Sequence, residues 1–183
     1  MSANTDTTSG FGIGGRIGWP IGGAIGGAVG AAAFGLLVWF FSPDVIEATI
    51  PTAYGLEAAG TIGWAIQLAH GAILGLIFAF VVTRQAVLGL LRTDVETDAI
   101  ARTGLTGRFV AAGLVFGFAV WAILPMLILP VWLNAVGAGE TTQFSALATN
   151  GLVGHLLFGT VLGAVFALLV DVTKRTSQDV LQE

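Results

Sequence analysis

The stretch Gly151 to Ala167, GLVGHLLFGTVLGAVFA, sets a small or polar residue at every fourth position: Gly151, His155, Gly159, Gly163 and Ala167. On a helix of 3.6 residues per turn this spacing makes one slowly drifting stripe, a groove that a neighbouring backbone can approach closely. The pattern also stands 88 residues earlier. There Gly63, Gln67, Gly71, Gly75 and Ala79 fill the five slots, and Leu74, Phe78 and Val82 match Leu162, Phe166 and Val170. Surfaces of this kind serve helices that associate by close contact inside a membrane, where no water is expelled.

The rest of the chain agrees with that setting. Its 183 residues are 55% hydrophobic and only 10% charged, with a mean hydropathy of +0.89, too apolar for a soluble domain of this length. The absence of cysteine excludes disulfides, thiolate metal sites and cysteine nucleophiles. A net charge of −4 and a pI near 5.0 argue against a nucleic-acid partner, which calls for a basic stripe. The basic residues are six Arg and one Lys, a balance that suits a GC-rich genome or a halophile.

Four apolar runs are long enough to cross a bilayer, which takes about 20 residues of helix. They cover residues 18–41, 61–82, 109–133 and 150–170, between a loose tail at 1–17 and a polar tail at 176–183. A signal peptide would have a shorter apolar core of about 7 to 15 residues, with fewer glycines than the first run. In that run Gly22, Gly26 and Gly30 form one stripe, and Gly23, Gly27, Ala31 and Gly35 form another beside it. Two small faces imply two close neighbours. Trp39, Phe40 and Phe41 belong at the membrane interface.

Ser42-Pro43-Asp44 starts a short helix that Pro51 should stop at Ile50. The connection from Arg84 to Arg108 has a short apolar face in Val87, Leu88, Leu90 and Leu91, and reads as a helical elbow at the membrane surface. The third run holds Gly113 and Gly117 at four-residue spacing, then Pro125 and Pro130, which should kink or loosen its outer half. Gly107-Arg108 before it echoes Gly15-Arg16 before the first run. The expected fold is therefore an all-α membrane protein, a four-helix transmembrane bundle of two tandem helical-hairpin repeats related by a pseudo-two-fold along the membrane normal.

All seven basic residues lie before the first run, between the second and third, or after the fourth. The positive-inside rule then puts both termini and the central connection in the cytoplasm of a multi-pass plasma-membrane protein. The loops with Asp44, Glu47, Glu57 and Glu140 face outside. No Asp, Glu, Lys or Arg falls inside the four runs, which removes the usual marks of proton relays, ion-coupled carriers and voltage sensors.

Gln67, His70 and His155 are the polar groups left for chemistry. Counted from the outer boundary, His155 lies roughly 8 Å and His70 roughly 14 Å into the apolar layer. Their plain role is to hydrogen-bond across helices and fix the register of the bundle. Their sharper role is to ligate a b-type haem through His70 and His155, although they are staggered and Gln67, a poor ligand, fills the slot equivalent to His155. No carboxylate or thiolate stands near to complete a transition-metal site. A Walker-A lysine pattern, a G-x-S-x-G elbow and an H-E-x-x-H motif are all missing, and the glycines of GIGGRIG have no strand before them, so no catalytic residue is expected.

The runs TIPTAYGLEAAGTIGWAIQLAHGAILGLIFAF and GHLLFGTVLGAVFALLV carry a resemblance to small haloarchaeal four-helix membrane proteins of unknown function. Its markers are Ile50-Pro51, Tyr54-Gly55-Leu56-Glu57, Gly63-Trp64, His70-Gly71 and Gly154-His155. The resemblance implies a haloarchaeal origin and a membrane location, and no activity. A histidine-kinase label attached to members of that group finds no support in this sequence, which lacks an ATP lid and a phosphoacceptor histidine outside the membrane. The expected role is an integral membrane structural or accessory subunit without catalysis, working in the lipid bilayer as a homo-oligomer or part of a larger complex. A small channel for a neutral solute is the alternative beside haem-based electron transfer.

Overall fold

The computed structural model describes residues 17–92, 104–135 and 151–170. The two tails, Gly15-Arg16, the acids of the central connection, the loop with Glu140, and Lys174 and Arg175 lie outside the described residues. Four helices are long and apolar enough to cross a membrane: α1 (Gly18–Phe41), α3 (Gly60–Val82), α5 (Gly104–Ile123) and α7 (Leu152–Leu169). Shorter helices α2 (Ile50–Ala53), α4 (Gln85–Arg92) and α6 (Leu129–Ala135) extend or join them, and no strand element occurs among the described residues.

Helix α1 is the centre of the bundle. It packs on α3 along one side and on α7 along the other, and α5 packs on the far side of α7. The side toward α3 carries Gly23 and Gly27. A Cβ at Gly27 would run into the Gly71 carbonyl oxygen, and one at Gly71 would meet the Gly27 carbonyl oxygen in return. Gly23 and Gly75 oppose each other likewise. As residue numbers rise along α1 their partners fall along α3, so the pair is antiparallel and held backbone to backbone.

Helices α5 and α7 make the same kind of contact. Gly113 and Gly159 face each other's carbonyls, Gly117 meets the His155 carbonyl, and Gly163 meets that of Phe109. Carbonyls this close to a glycine Cα form C–H···O contacts of about 0.5–1 kcal/mol each, and dispersion along the whole seam adds to them.

The second face of α1 meets side chains as well as backbone. A Cβ at Gly26 would lie 3.2 Å from Leu162, and one at Gly30 would lie 2.7 Å from the Phe158 carbonyl oxygen, with the Phe158 ring beside it. Gly22 lies under Val170, and Gly154 of α7 receives the Phe34 ring from α1.

The pseudo-two-fold is not what the helices form. Such an axis would pair α3 with α5 as closely as α1 with α7, yet α3 and α5 meet at only a few residues. The reason is in the side chains. Gly27 and Gly113 are counterparts, because they oppose the carbonyls of Gly71 and Gly159, and this register matches Gly22, Gly26 and Gly30 of α1 to Arg108, Ala112 and Phe116 of α5. Where α1 offers a second glycine face, α5 presents a phenylalanine, and Phe116 meets Phe78 of α3 ring to ring at 5.4 Å. The same register sets Arg108 level with Gly22.

Phe78, Phe109, Phe166 and Leu162 are fully buried, and Phe166 lies 5.5 Å from both Phe78 and Phe109. This core sits toward the end that carries Arg84 and Arg108, called the basic end below. Leu88 and Leu91 bring the elbow α4 onto it. Ile21, Ile25, Val29 and Leu36 leave the remaining face of α1 exposed, and Val115 and Leu168 do the same on α5 and α7. Such a girdle suits contact with lipid.

Helix ends differ from expectation where proline is involved. The short helix does not stop at Pro51: a π-helical turn spans Val45–Thr49, α2 carries on to Ala53, and Gly55 closes the segment at a φ of 69°. In the wide turn the Ile50 N–H reaches the Val45 carbonyl, and the next in line, Pro51, has no N–H to give Ile46. The Ile46 carbonyl points at Gly63 of α3 instead, so close that no Cβ would fit. The third helix runs from Gly104 to Ile123, and its continuation becomes a π-helical segment, Leu124–Ile128, before α6. The fourth helix is trimmed to 152–169, and Gly151 stands at its N-cap position.

Candidate functional site

The open seam between α3 and α5 brings His70, Tyr54 and Trp132 together. The 88-residue offset matches His70 to Phe158, which is buried at 2% exposure against Gly30 of α1. No helix closes on α3 in the same way, so His70 is exposed. The connection after α2 supplies its partner: Tyr54 Oη and His70 Nε2 share a hydrogen bond of 2.6 Å, with rings 5.7 Å apart.

The Tyr54 ring also packs on Trp132 of α6 at 5.8 Å, and the Trp132 indole N–H donates to the Ala53 carbonyl at 3.0 Å. Tyr54 thus ties α3 to α6 at one end of the seam, and Phe78 with Phe116 joins α3 to α5 toward the other. Burial pushes the Tyr54 hydroxyl above its ordinary 10.0.

Gln67 and His155, equivalent by sequence offset, act differently. The Gln67 amide donates to the Ala31 carbonyl of α1 at 3.3 Å, a bond between helices. His155 Nδ1 lies 2.8 Å from the Gly151 carbonyl of its own helix. Because a carbonyl only accepts, Nδ1 carries the proton and Nε2 the lone pair. The imidazole rests on Phe34 of α1 at 4.7 Å. Of the three polar groups expected to bridge helices, only Gln67 does so by hydrogen bond. His70 holds a connecting segment, and His155 reaches α1 by ring contact.

The structure does not join His70 to His155. The two imidazoles share no contact, α1 packs between the helices that carry them, and the Nε2 of His70 is already engaged by Tyr54. Among the described residues no three His, Asp or Glu side chains gather as a metal would require. The Tyr54 and Trp132 rings touch each other, which leaves no slot between them for a flat ligand.

Tyr54 and Trp132 were not among the expected site residues. One signal was on view: Tyr54 is the sole tyrosine of the chain and lies in the segment between Pro51 and Gly55. Trp132 offered none, since a tryptophan near a span end reads as an interface anchor. Comparison of the chain with family models, with curated protein sequences and with solved structures finds no match.

Proposed function

We propose that this integral membrane protein is a non-catalytic structural or accessory subunit of a plasma-membrane assembly, with both termini and the central connection in the cytoplasm. The observation that carries the reading is the use of the small-residue faces. Gly22, Gly26, Gly30, Gly71, Gly75, Gly113, Gly117, Gly159 and Gly163 all lie against a neighbouring helix of the same chain. Residues devoted to close packing make a stiff scaffold, and the apolar lengths of the four helices carry no Asp, Glu or Lys. Arg108 stands near the start of α5, at the basic end, and donates to the Leu91 carbonyl at 2.8 Å. Partners, whether further copies or other chains, would meet the exposed apolar girdle.

The stripes that would line a neutral-solute channel are filled by helices, so that reading has less to work with. Purification in a mild detergent tests the proposal. A homo-oligomer or a co-purifying membrane protein is expected, and the preparation should be colourless. A monomer that brings nothing with it argues against a subunit role, and a Soret band lost in His155→Ala would restore the haem reading.

A further inference from the structure

We propose that the α1/α3 seam at the basic end holds the phosphate of an anionic glycerophospholipid, with Arg84 as its main ligand. Arg84 is the second residue beyond α3, where the apolar length ends and a headgroup layer begins. Its guanidinium lies over the Phe80 ring, 3.5 Å from the centroid. Stacking occupies one face of the guanidinium and leaves the N–H donors along its edge, the geometry that grips a phosphate through two parallel hydrogen bonds. Among the described residues no carboxylate reaches it. The described acids, Asp44, Glu47 and Glu57, belong to the opposite end.

A second donor stands beside Phe80. Trp19 of α1 lies 6.4 Å from that ring, and its indole N–H has no acceptor among the described residues. The indoles of Trp39 and Trp132, by contrast, donate to Glu47 and to the Ala53 carbonyl. Phe80 is 48% exposed, and Ile73 and Ile77 continue the apolar surface along α3. A lipid fits this order of groups: phosphate at Arg84, an ester or glycerol oxygen at the Trp19 N–H, and an acyl chain along Phe80, Ile77 and Ile73. A free phosphate would satisfy the first contact and none of the others.

Native mass spectrometry of the detergent-purified full chain tests this, with phosphatidylglycerol and phosphatidylcholine offered together. A preference of about fivefold for phosphatidylglycerol is expected, the effect of roughly one well-placed basic side chain. Arg84→Gln should abolish the preference, Arg84→Lys should keep part of it, and Trp19→Phe should lower retention of both lipids. Arg92→Gln, the control for diffuse charge at the same end, should leave the preference unchanged. Equal preference in Arg84→Gln and the parent, or equal loss in Arg92→Gln, overturns the site. Displacement of the lipid by millimolar glycerol phosphate would show a soluble-phosphate site and reject the lipid. Arg84 is exposed, so unaltered melting of Arg84→Gln in phosphatidylcholine separates lost binding from lost folding.

Discussion

At the residue scale the glycines of this bundle are of two kinds, and their environments tell them apart. A Cβ at Gly27 or Gly113 would strike a backbone carbonyl of the facing helix, which cannot rotate away, so the helices must part. Gly27→Ala and Gly113→Ala should each cost about 1–3 kcal/mol of stability in detergent. Gly89 in α4 has open space where a Cβ would go, and Gly89→Ala should gain up to about 1 kcal/mol from helix propensity. Thermal melts of the three variants decide the matter, and a neutral Gly27→Ala would contradict the close seam. Tyr54 makes a separate prediction. It is the only tyrosine, so the tyrosinate absorption band reports it alone, and its midpoint should lie above 10.0. The raised value means that folding favours the neutral phenol. This contribution is complete below the unfolded pKa and is lost as pH rises through the folded one, so alkaline destabilisation above about pH 10 should shrink in Tyr54→Phe.

At the element scale each seam is a unit with its own register. Gly27 and Gly71 oppose each other's carbonyls across α1 and α3, with the Ala31 side chain also against Gly71, so their alanine variants strain the same stretch of one seam. Once Gly27→Ala has parted the helices, Gly71→Ala should add little, and a double-mutant cycle should show a coupling of about 0.5–3 kcal/mol. Gly27→Ala and Gly113→Ala act on different seams and should add to within about 0.5 kcal/mol. Strict additivity in the first pair would mean that the two glycines do not share a contact. The connection between α1 and α3 is a further unit. Pro51 withholds an N–H, the Ile46 carbonyl turns to Gly63, and Tyr54 then reaches His70. Trp39 fastens the start of this segment, its N–H donating to Glu47 at 2.9 Å.

At the scale of the whole molecule the bundle is lopsided. A glycine face on each of two sides of α1 draws in α3 and α7, while Phe116 holds α3 and α5 apart and leaves the seam that Tyr54 straps. The proposed orientation, drawn from the placement of basic residues, can be tested directly. The chain has no cysteine, so single cysteines can be introduced at Thr52, Thr97 and Thr141 and probed in intact cells with an impermeant thiol reagent. Labelling is expected at the positions replacing Thr52 and Thr141 and not at the one replacing Thr97. Reaction at the latter from outside would reverse the orientation.

Hydropathy and spacing by themselves determined the four spans, because a transmembrane helix satisfies its backbone hydrogen bonds within its own segment and needs only length and apolarity. The bounds of α1 at Gly18 and Phe41 were legible for that reason, and the stripes were legible because four-residue spacing is a property of one helix. Which stripe meets which, and whether two halves close on each other, depends on the volume of side chains brought together from distant parts of the chain. Phe116 opposite Phe78, the Ile46 carbonyl on Gly63, and Tyr54 between His70 and Trp132 are meetings of that sort. Tertiary structure alone decided them, since close packing acts between surfaces and no local pattern records the partner.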